Sequence, residues 1–232
     1  MNMISVIIPS FNEEKYLGKL LDSIKSSKFK DFEIIVSDNN SKDNTKKIAK
    51  KYGCVVTKGG KPGVGRNNGA KLAKHDLLFI DSDVIIKDPL LLENFLKRAR
   101  KYDLATCKIL PLSNNFFHRG YYIVKNYTNK YLWIKRKHVS GQFLFIKKNL
   151  FKKLKGYDET LYLAEEHDLA TRAYLENAKI GFFMDLKVYN SVRRINKEGF
   201  LKQTFKTLYS ELYRFLFGKI KKKIIKYEFG RY

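Results

Sequence analysis

The chain has 232 residues, 44% of them hydrophobic, long enough to bury the core of one large α/β domain or two small ones. Lys and Arg number 47 against 23 Asp and Glu, a net charge of +24. A field of that sign attracts polyanions such as nucleic acid, anionic lipid headgroups or nucleotide diphosphates. No stretch approaches the run of about 18 apolar residues that a membrane span needs, and Met1-Asn2-Met3-Ile4 has no basic region leading into a signal core, so a cytoplasmic protein is expected. Cys54 and Cys107 lie in apolar, strand-like contexts and read as core residues, not as a disulfide framework or a metal cluster.

Ile4 to Ile8 is a compact strand signal ended by Pro9, and Glu13 to Ile24 has helix periodicity. Phe32 to Val36 predicts a second strand, and Ser41 is placed to cap a helix over Asp43 to Lys51. A strand at Cys54 to Thr57, a glycine-broken loop, a helix from Gly65 to Lys74 and a strand at Asp76 to Ile80 follow. Pro89 suits the first turn of the next helix, and Leu104 to Cys107 reads as a strand. Residues 108–137, rich in aromatics, Asn and basic residues, predict an irregular excursion or helix beside a cleft. Phe143 to Ile146 and Val188 to Asn190 are strand signals around a helix at Glu165 to Asn177. This alternation predicts an α/β fold with a mostly parallel, Rossmann-like central sheet flanked by helices. One catalytic domain over 1–198 with a helical tail over 199–232 is favoured over a split near Lys108.

In the tail, Phe205, Leu208, Leu212, Phe215 and Leu216 recur at helix spacing, and after Gly218 come Ile220, Ile224 and Tyr227 among Lys219, Lys221, Lys222, Lys223 and Lys226. A basic amphipathic helix can lie on an anionic bilayer, and it can equally pack on its own domain.

Chemistry concentrates in three places. Asp81-Ser82-Asp83 follows the apolar run Leu77 to Ile80; in extended backbone the two carboxylates face the same way at a strand's carboxyl end, where they suit a divalent cation bridging to phosphate, or simply cap a turn. The loop Gly59-Gly60-Lys61-Pro62-Gly63-Val64-Gly65-Arg66 lacks the spacing of a dinucleotide fingerprint and the Lys-Ser or Lys-Thr of a P-loop, yet its free amides and Arg66 favour an anion. Glu165-Glu166-His167-Asp168 packs three carboxylates into four residues, more than a helix start requires, and like charges held close raise one another's pKa. With four histidines in all, the sequence shows no close His/His or His/Cys ligand set.

In this order and spacing these segments resemble the inverting glycosyltransferases of family 2, with the GT-A fold. Ile4 to Glu14 resembles the family's opening strand and nucleotide loop, Ile34 to Thr45 the second such loop, and Gly65-Arg66-Asn67-Asn68-Gly69 the stretch ahead of the metal strand. Asp81-Ser82-Asp83 resembles the metal motif, Gly141-Gln142-Phe143 the acceptor-side strand, and Gly156-Tyr157-Asp158-Glu159 the approach to the base.

The resemblance implies donor contacts from Pro9, Phe11, Glu13, Asp38, Lys61, Arg66, Asp81 and Ser82, with Glu13 and Asp38 on ribose and base and Arg66 near the diphosphate. Asp83 would bind Mg²⁺ or Mn²⁺ directly, supported by Asp81. Where the family usually has glutamate-aspartate this chain has Glu165-Glu166, so the base is assigned to Glu166, with Glu165 and Asp168 as further holders of that role. Asn190-Ser191-Val192-Arg193-Arg194 resembles a motif whose arginines close over a diphosphate or acceptor phosphate.

The implied reaction is single displacement at the anomeric carbon of a UDP- or GDP-linked sugar by a glycan or polyprenyl-phosphate-linked acceptor. A basic nucleic-acid-binding module leaves Asp81, Asp83 and Glu166 without a task and is not expected; a nucleotidyltransferase would differ by releasing pyrophosphate.

Overall fold

The computed structural model describes residues 3–132 and 138–225; Lys226 and Tyr227 of the expected tail lie outside them. Strand β1 (Ile4–Ser10), helix α1 (Leu17–Lys25), β2 (Phe32–Asp38), α2 (Thr45–Lys51), β3 (Val55–Lys58), α3 (Pro62–Leu72) and β4 (Asp76–Ile80) follow the expected order. Then come β5 (Val84–Ile85), α4 (Leu91–Ala99), β6 (Leu104–Pro111), α5 (Phe116–Tyr127), a π-helical turn (Thr128–Leu132) and β7 (Phe143–Ile146). The chain continues through α6 (Lys148–Lys153), α7 (Glu165–Leu175), β8 (Ile180–Asn190), α8 (Arg193–Glu198) and α9 (Phe200–Phe217).

The strands form one mixed sheet in the order β3-β2-β1-β4-β7-β6-β8-β5. β3, β2, β1 and β4 are parallel, β7 runs against both β4 and β6, and β5 runs against β8. Only three residues separate β4 from β5, yet β5 hydrogen-bonds at the far edge of the sheet. Four interstrand steps of about 4.8 Å exceed the roughly 14 Å that four Cα–Cα steps can span, so the sheet must curl. That curl carries the end of β8 back to the turn after β4, and Ser191 N donates to the Asp83 carbonyl at 3.1 Å.

Alternation along the strands explains the two-sided core. Ile4, Val6 and Ile8 face one cluster, joined by Leu17, Leu20, Leu21 and Ile24 of α1, whose spacing is one helix stripe. Ile7, Ile35 and Phe79 face the other, packed with Leu169, Ala170 and Ala173 of α7.

Some local expectations need correction. Ser41 does not cap α2: its Oγ accepts from Asn12 N at 2.9 Å, and Asn44 at the helix start makes no side-chain cap. Pro89 precedes α4 instead of entering it; its carbonyl accepts from Lys28 N. The expected strand at Val188 to Asn190 is the end of β8, which begins at Ile180; a register shift opposite Cys107/Lys108 interrupts the alternation that would have shown its length. Among the described residues no helix is long and apolar enough to cross a membrane.

Candidate active site

Two crossover loops are sewn together before any ligand is considered. The β1–α1 and β2–α2 loops exchange bonds: Glu13 N donates to Thr45 Oγ1 at 2.7 Å, Glu14 N to Asp43 Oδ2 at 3.1 Å, and Lys42 N to Asn12 Oδ1 at 3.0 Å. Asn12 and Asn40 turn these loops with φ of 55° and 56°, a left-handed conformation that Asn tolerates better than most residues. Asp38, at the end of β2, is buried, accepts from Ser41 N at 2.9 Å and lies 3.4 Å from Lys46, while its Oδ1 has no partner. Pro9 ends within β1, Phe11 is half-buried just beyond it, and Lys61 is exposed at the start of α3.

Helix α3 can approach this closely only because of its glycines. A Cβ on Gly69 would stand 2.5 Å from Ile7 Cγ2, and one on Gly59, in the loop before α3, 2.6 Å from the Asn39 backbone nitrogen. On the other side Asn67 bonds both Tyr157 N and Tyr157 O at 2.9 Å, which fixes the segment leading into α7. Gly156 fits there with a φ of +71° and no room for a Cβ beside Asn67.

Arg66 is buried between the acidic groups. Its guanidinium reaches Asp81 Oδ1 at 2.7 Å and Glu165 Oε1 at 2.5 Å, and lies over the Tyr157 ring at 5.5 Å. The carboxylates occupy a fork that the sequence would offer to phosphate, so Arg66 joins the cation motif to the start of α7. Ala164 precedes Glu165 with a φ of 62°, unfavourable for a residue with a Cβ, and sets the direction in which α7 leaves.

Asp81-Ser82-Asp83 is not extended: it is a turn closed by Val84 N donating to Asp81 O at 3.1 Å. The carboxylates converge through that turn, with Ser82 buried between them. Arg193 binds Glu13 through both terminal nitrogens at 2.7 and 2.5 Å, and its Nε lies 3.4 Å from Asp83 Oδ2. Burial pushes the Asp83 carboxyl up to about 7; Arg193 and Arg194 oppose that rise, while Asp81 and Glu13 add to it. Three acidic groups thus meet here, with Arg66 and Arg193 already paired to them, and their hard oxygens are a donor set of the kind that fits Mg²⁺ or Mn²⁺.

Of the three carboxylates at the start of α7, Glu165 is tied to Arg66, and Asp168 is held by Arg172 and Lys219, at 2.7 and 2.9 Å. Glu166 packs against Gly141, whose Cβ, if present, would stand 3.1 Å from its carboxyl carbon. Burial first, and then the neighbouring Glu165 carboxylate, raise Glu166 to about 7, the range of a proton acceptor at neutral pH.

The fold also assembles a group absent from the sequence reading. His138, His167 and Glu211 bring three ligand atoms within 4.8 Å of one another and could hold a metal ion, which corrects the expectation of no close histidine pair. The imidazole rings lie 4.3 Å apart, and Arg214 reaches His138 Nε2 at 3.4 Å and Glu211 Oε2 at 2.9 Å, so a positive charge already stands among them. Burial lowers both histidines, His138 to about 3, keeping the rings neutral. Nitrogen-rich ligands suit Zn²⁺ more than Mg²⁺. The residues are 29 and 44 positions apart in sequence, too far for a spacing motif to show.

This mixed sheet, with acidic groups at the strand ends and a carboxylate helix start, is shared with known proteins. The model of glycosyl transferase family 2 matches residues 5–155, and the chain belongs to that family. It is 30% identical over 206 residues to the poly(ribitol-phosphate) beta-glucosyltransferase of Bacillus spizizenii, covering 82% of this chain and 32% of that one. The chain thus spans about a third of that relative's length. The crystal structure of Staphylococcus aureus TarS 1–349 in complex with UDP superposes with a TM-score of 0.64 at 26% identity, covering 82% of this chain and 60% of that one. A mannosyltransferase from Pyrobaculum calidifontis, in complex with GDP-Man and Mn²⁺, shares the fold: TM-score 0.69, 18% identity, 93% of this chain and 70% of that one.

Proposed function

We propose that this protein is an inverting glycosyltransferase that moves a sugar from a UDP- or GDP-linked donor to a hydroxyl of a glycan or a polyprenyl-phosphate-linked acceptor. The observation that carries this reading is the pair of acidic sites joined by Arg66: Asp81 and Asp83 on one side, Glu165 and Glu166 on the other. Asp83, with Asp81 in support, would hold Mg²⁺ or Mn²⁺, which when bound supplies positive charge to the departing diphosphate. Asp38 retains an unpartnered buried oxygen for a donor group of the base, and Glu13, whose carboxylate is held by Arg193, would serve the ribose in this reading. In this reading Pro9, Phe11, Lys61 and Ser82 would complete the donor contacts. Arg193 and Arg194, beside Asp83, stand where negative charge develops.

Glu166 takes the proton of the acceptor hydroxyl as that oxygen forms its bond to the anomeric carbon, while the bond to the diphosphate breaks and its electron pair leaves with the nucleoside diphosphate. One displacement inverts the anomeric centre. Glu165 and Asp168, both in ion pairs, hold the helix start in place. Residues 1–198 form the catalytic unit in this reading, and 199–232 a tail in contact with an anionic membrane surface at the cytoplasmic face. Donor turnover by Glu166→Gln with a hydroxyl acceptor tests the base: a loss of at least about hundredfold is expected, and near-normal turnover with an intact fold would remove Glu166 from the role.

A further inference from the structure

Helix α9 is inside out. Leu201, Phe205, Leu208, Leu212, Phe215 and Leu216 are 56–80% exposed, although they form the apolar stripe. The polar side faces the protein: Arg214 is buried, Glu211 pairs with it, and Thr207 Oγ1 lies 3.1 Å from Tyr121 Oη. Helix α5 shares this in part: Tyr122 packs in the core, yet most of its other apolar surface is turned outward. Asn126 is buried and bonds the backbone of Ile109 through both ends of its amide, while Phe116 is 81% and Phe117 61% exposed. The two helices lie side by side, with the Phe117 and Phe200 rings 5.6 Å apart, so their apolar stripes join. Continuous exposed apolar surface of this kind marks an interaction site.

Charge chooses the occupant. From Leu104 to Tyr157 the sequence contains no Asp or Glu and twelve Lys and Arg. From Gly199 to Tyr232 nine basic residues accompany two acidic ones, and one of these, Glu211, is turned inward to Arg214. A second copy would bring two faces of the same sign together, whereas an anionic bilayer matches both the apolar stripe and the lysines around it.

We propose that α5 and α9 together form a docking surface for an anionic lipid bilayer, with Phe116 and Phe117 entering the boundary between headgroups and acyl chains. This widens the membrane contact of the tail to a helix that is itself a wall of the site. Tyr122 of α5 accepts from Asn190 Nδ2 at 3.2 Å, next to Ser191, which bonds the Asp83 carbonyl, and Lys125 of α5 places its charge on Glu166. Docking through α5 therefore sets the carboxylates at the membrane surface, and the acceptor is one whose hydroxyl is presented there by a lipid anchor. That last clause rests on the sugar-transfer reading; the docking itself does not.

The test is co-sedimentation of the full chain with phosphatidylcholine vesicles, with and without phosphatidylglycerol. It is run beside nucleoside-diphosphate release from sugar nucleotides with a water-soluble acceptor. The wild type is expected to sediment with the anionic vesicles and to be released by salt. Phe116→Ser with Phe117→Ser, and separately Leu208→Ser with Leu212→Ser, are each expected to weaken partition about tenfold or more, with the circular dichroism spectrum and soluble turnover unchanged. A wild type that ignores anionic vesicles overturns the proposal. So does an α5 variant that partitions like the wild type, or a dimer in light scattering that these substitutions dissociate. Vesicle binding without turnover on any sugar nucleotide would leave docking in place and remove sugar transfer; turnover without vesicle binding would do the reverse.

Discussion

Helices α7 and α9 handle apolar and charged residues in opposite ways. On α7, Leu169, Ala170 and Ala173 are buried against the sheet, and the acidic first turn is held by Arg66, Arg172 and Lys219. On α9 the polar residues point inward and the leucines and phenylalanines outward. Burial of apolar surface stabilises the first helix within this chain; the second, apart from Phe200 at its start, keeps its apolar stripe exposed. In the proposed reading the charges of α7 serve chemistry, and those of α9 serve position.

The sharpest way to break this contrast is at the base. Glu166→Gln should lower kcat by roughly 10²–10⁴-fold while leaving donor affinity and melting temperature near wild type, as read by steady-state kinetics and calorimetry. A fall in stability to match would make Glu166 a structural member of α7.

Removing the guanidinium between the two acidic sites comes next. Arg66→Met leaves Asp81 and Glu165 without their buried partner, and a loss of about 3–5 kcal/mol in urea unfolding is expected. The same perturbation of an exposed pair, Lys153 with Glu176, should cost at most about 1 kcal/mol.

Matched truncations compare the helices directly. Leu169→Ala should cost about 2–5 kcal/mol, and Leu208→Ala should stay within about 0.5 kcal/mol, both measured by denaturant titration without lipid. Comparable losses at the two positions would mean that α9 stabilises the isolated fold through its apolar stripe.

The pH dependence should follow the buried carboxyl. A base raised to about 7 must lose its proton to work, so kcat should fall tenfold per unit below that value and level off above it. The sign for stability is opposite. Burial disfavours the ionised form, so this group's contribution is fully present below its unfolded-state value near 4.5 and is lost as pH rises through about 7. Glu166→Gln should flatten both profiles. The smallest effect is at Ala164: Ala164→Gly relieves a left-handed φ and offsets that by freeing the unfolded chain, for a net gain of about 1 kcal/mol or less in thermal unfolding.

Much of this was legible in the sequence. Apolar periodicity places β1, β2, β4 and α1, because each buries a regular stripe or face. The acidic segments at Asp81 and Glu165 are found by residue type alone. Other features depend on contacts between distant residues. Arg66 reads as a phosphate ligand until Asp81 and Glu165, 15 and 99 positions away, are seen to share it. His138, His167 and Glu211 meet only when the segment before β7 packs with α7 and α9. The Asp81 to Asp83 turn looks like the continuation of a strand, because no local signal tells that β5 must cross to β8. The amphipathic pattern of α9 is plain in the sequence, but which of its faces meets the protein is set by partners such as Tyr121 and His138.

The most direct test of sugar transfer is the product released from a panel of UDP- and GDP-sugars with Mn²⁺, in wild type and in Asp83→Asn. The expected result is nucleoside diphosphate from one donor class, dependent on the cation and reduced more than about tenfold in the variant. Pyrophosphate as the product, or cation-dependent release that Asp83→Asn leaves unchanged, would contradict it.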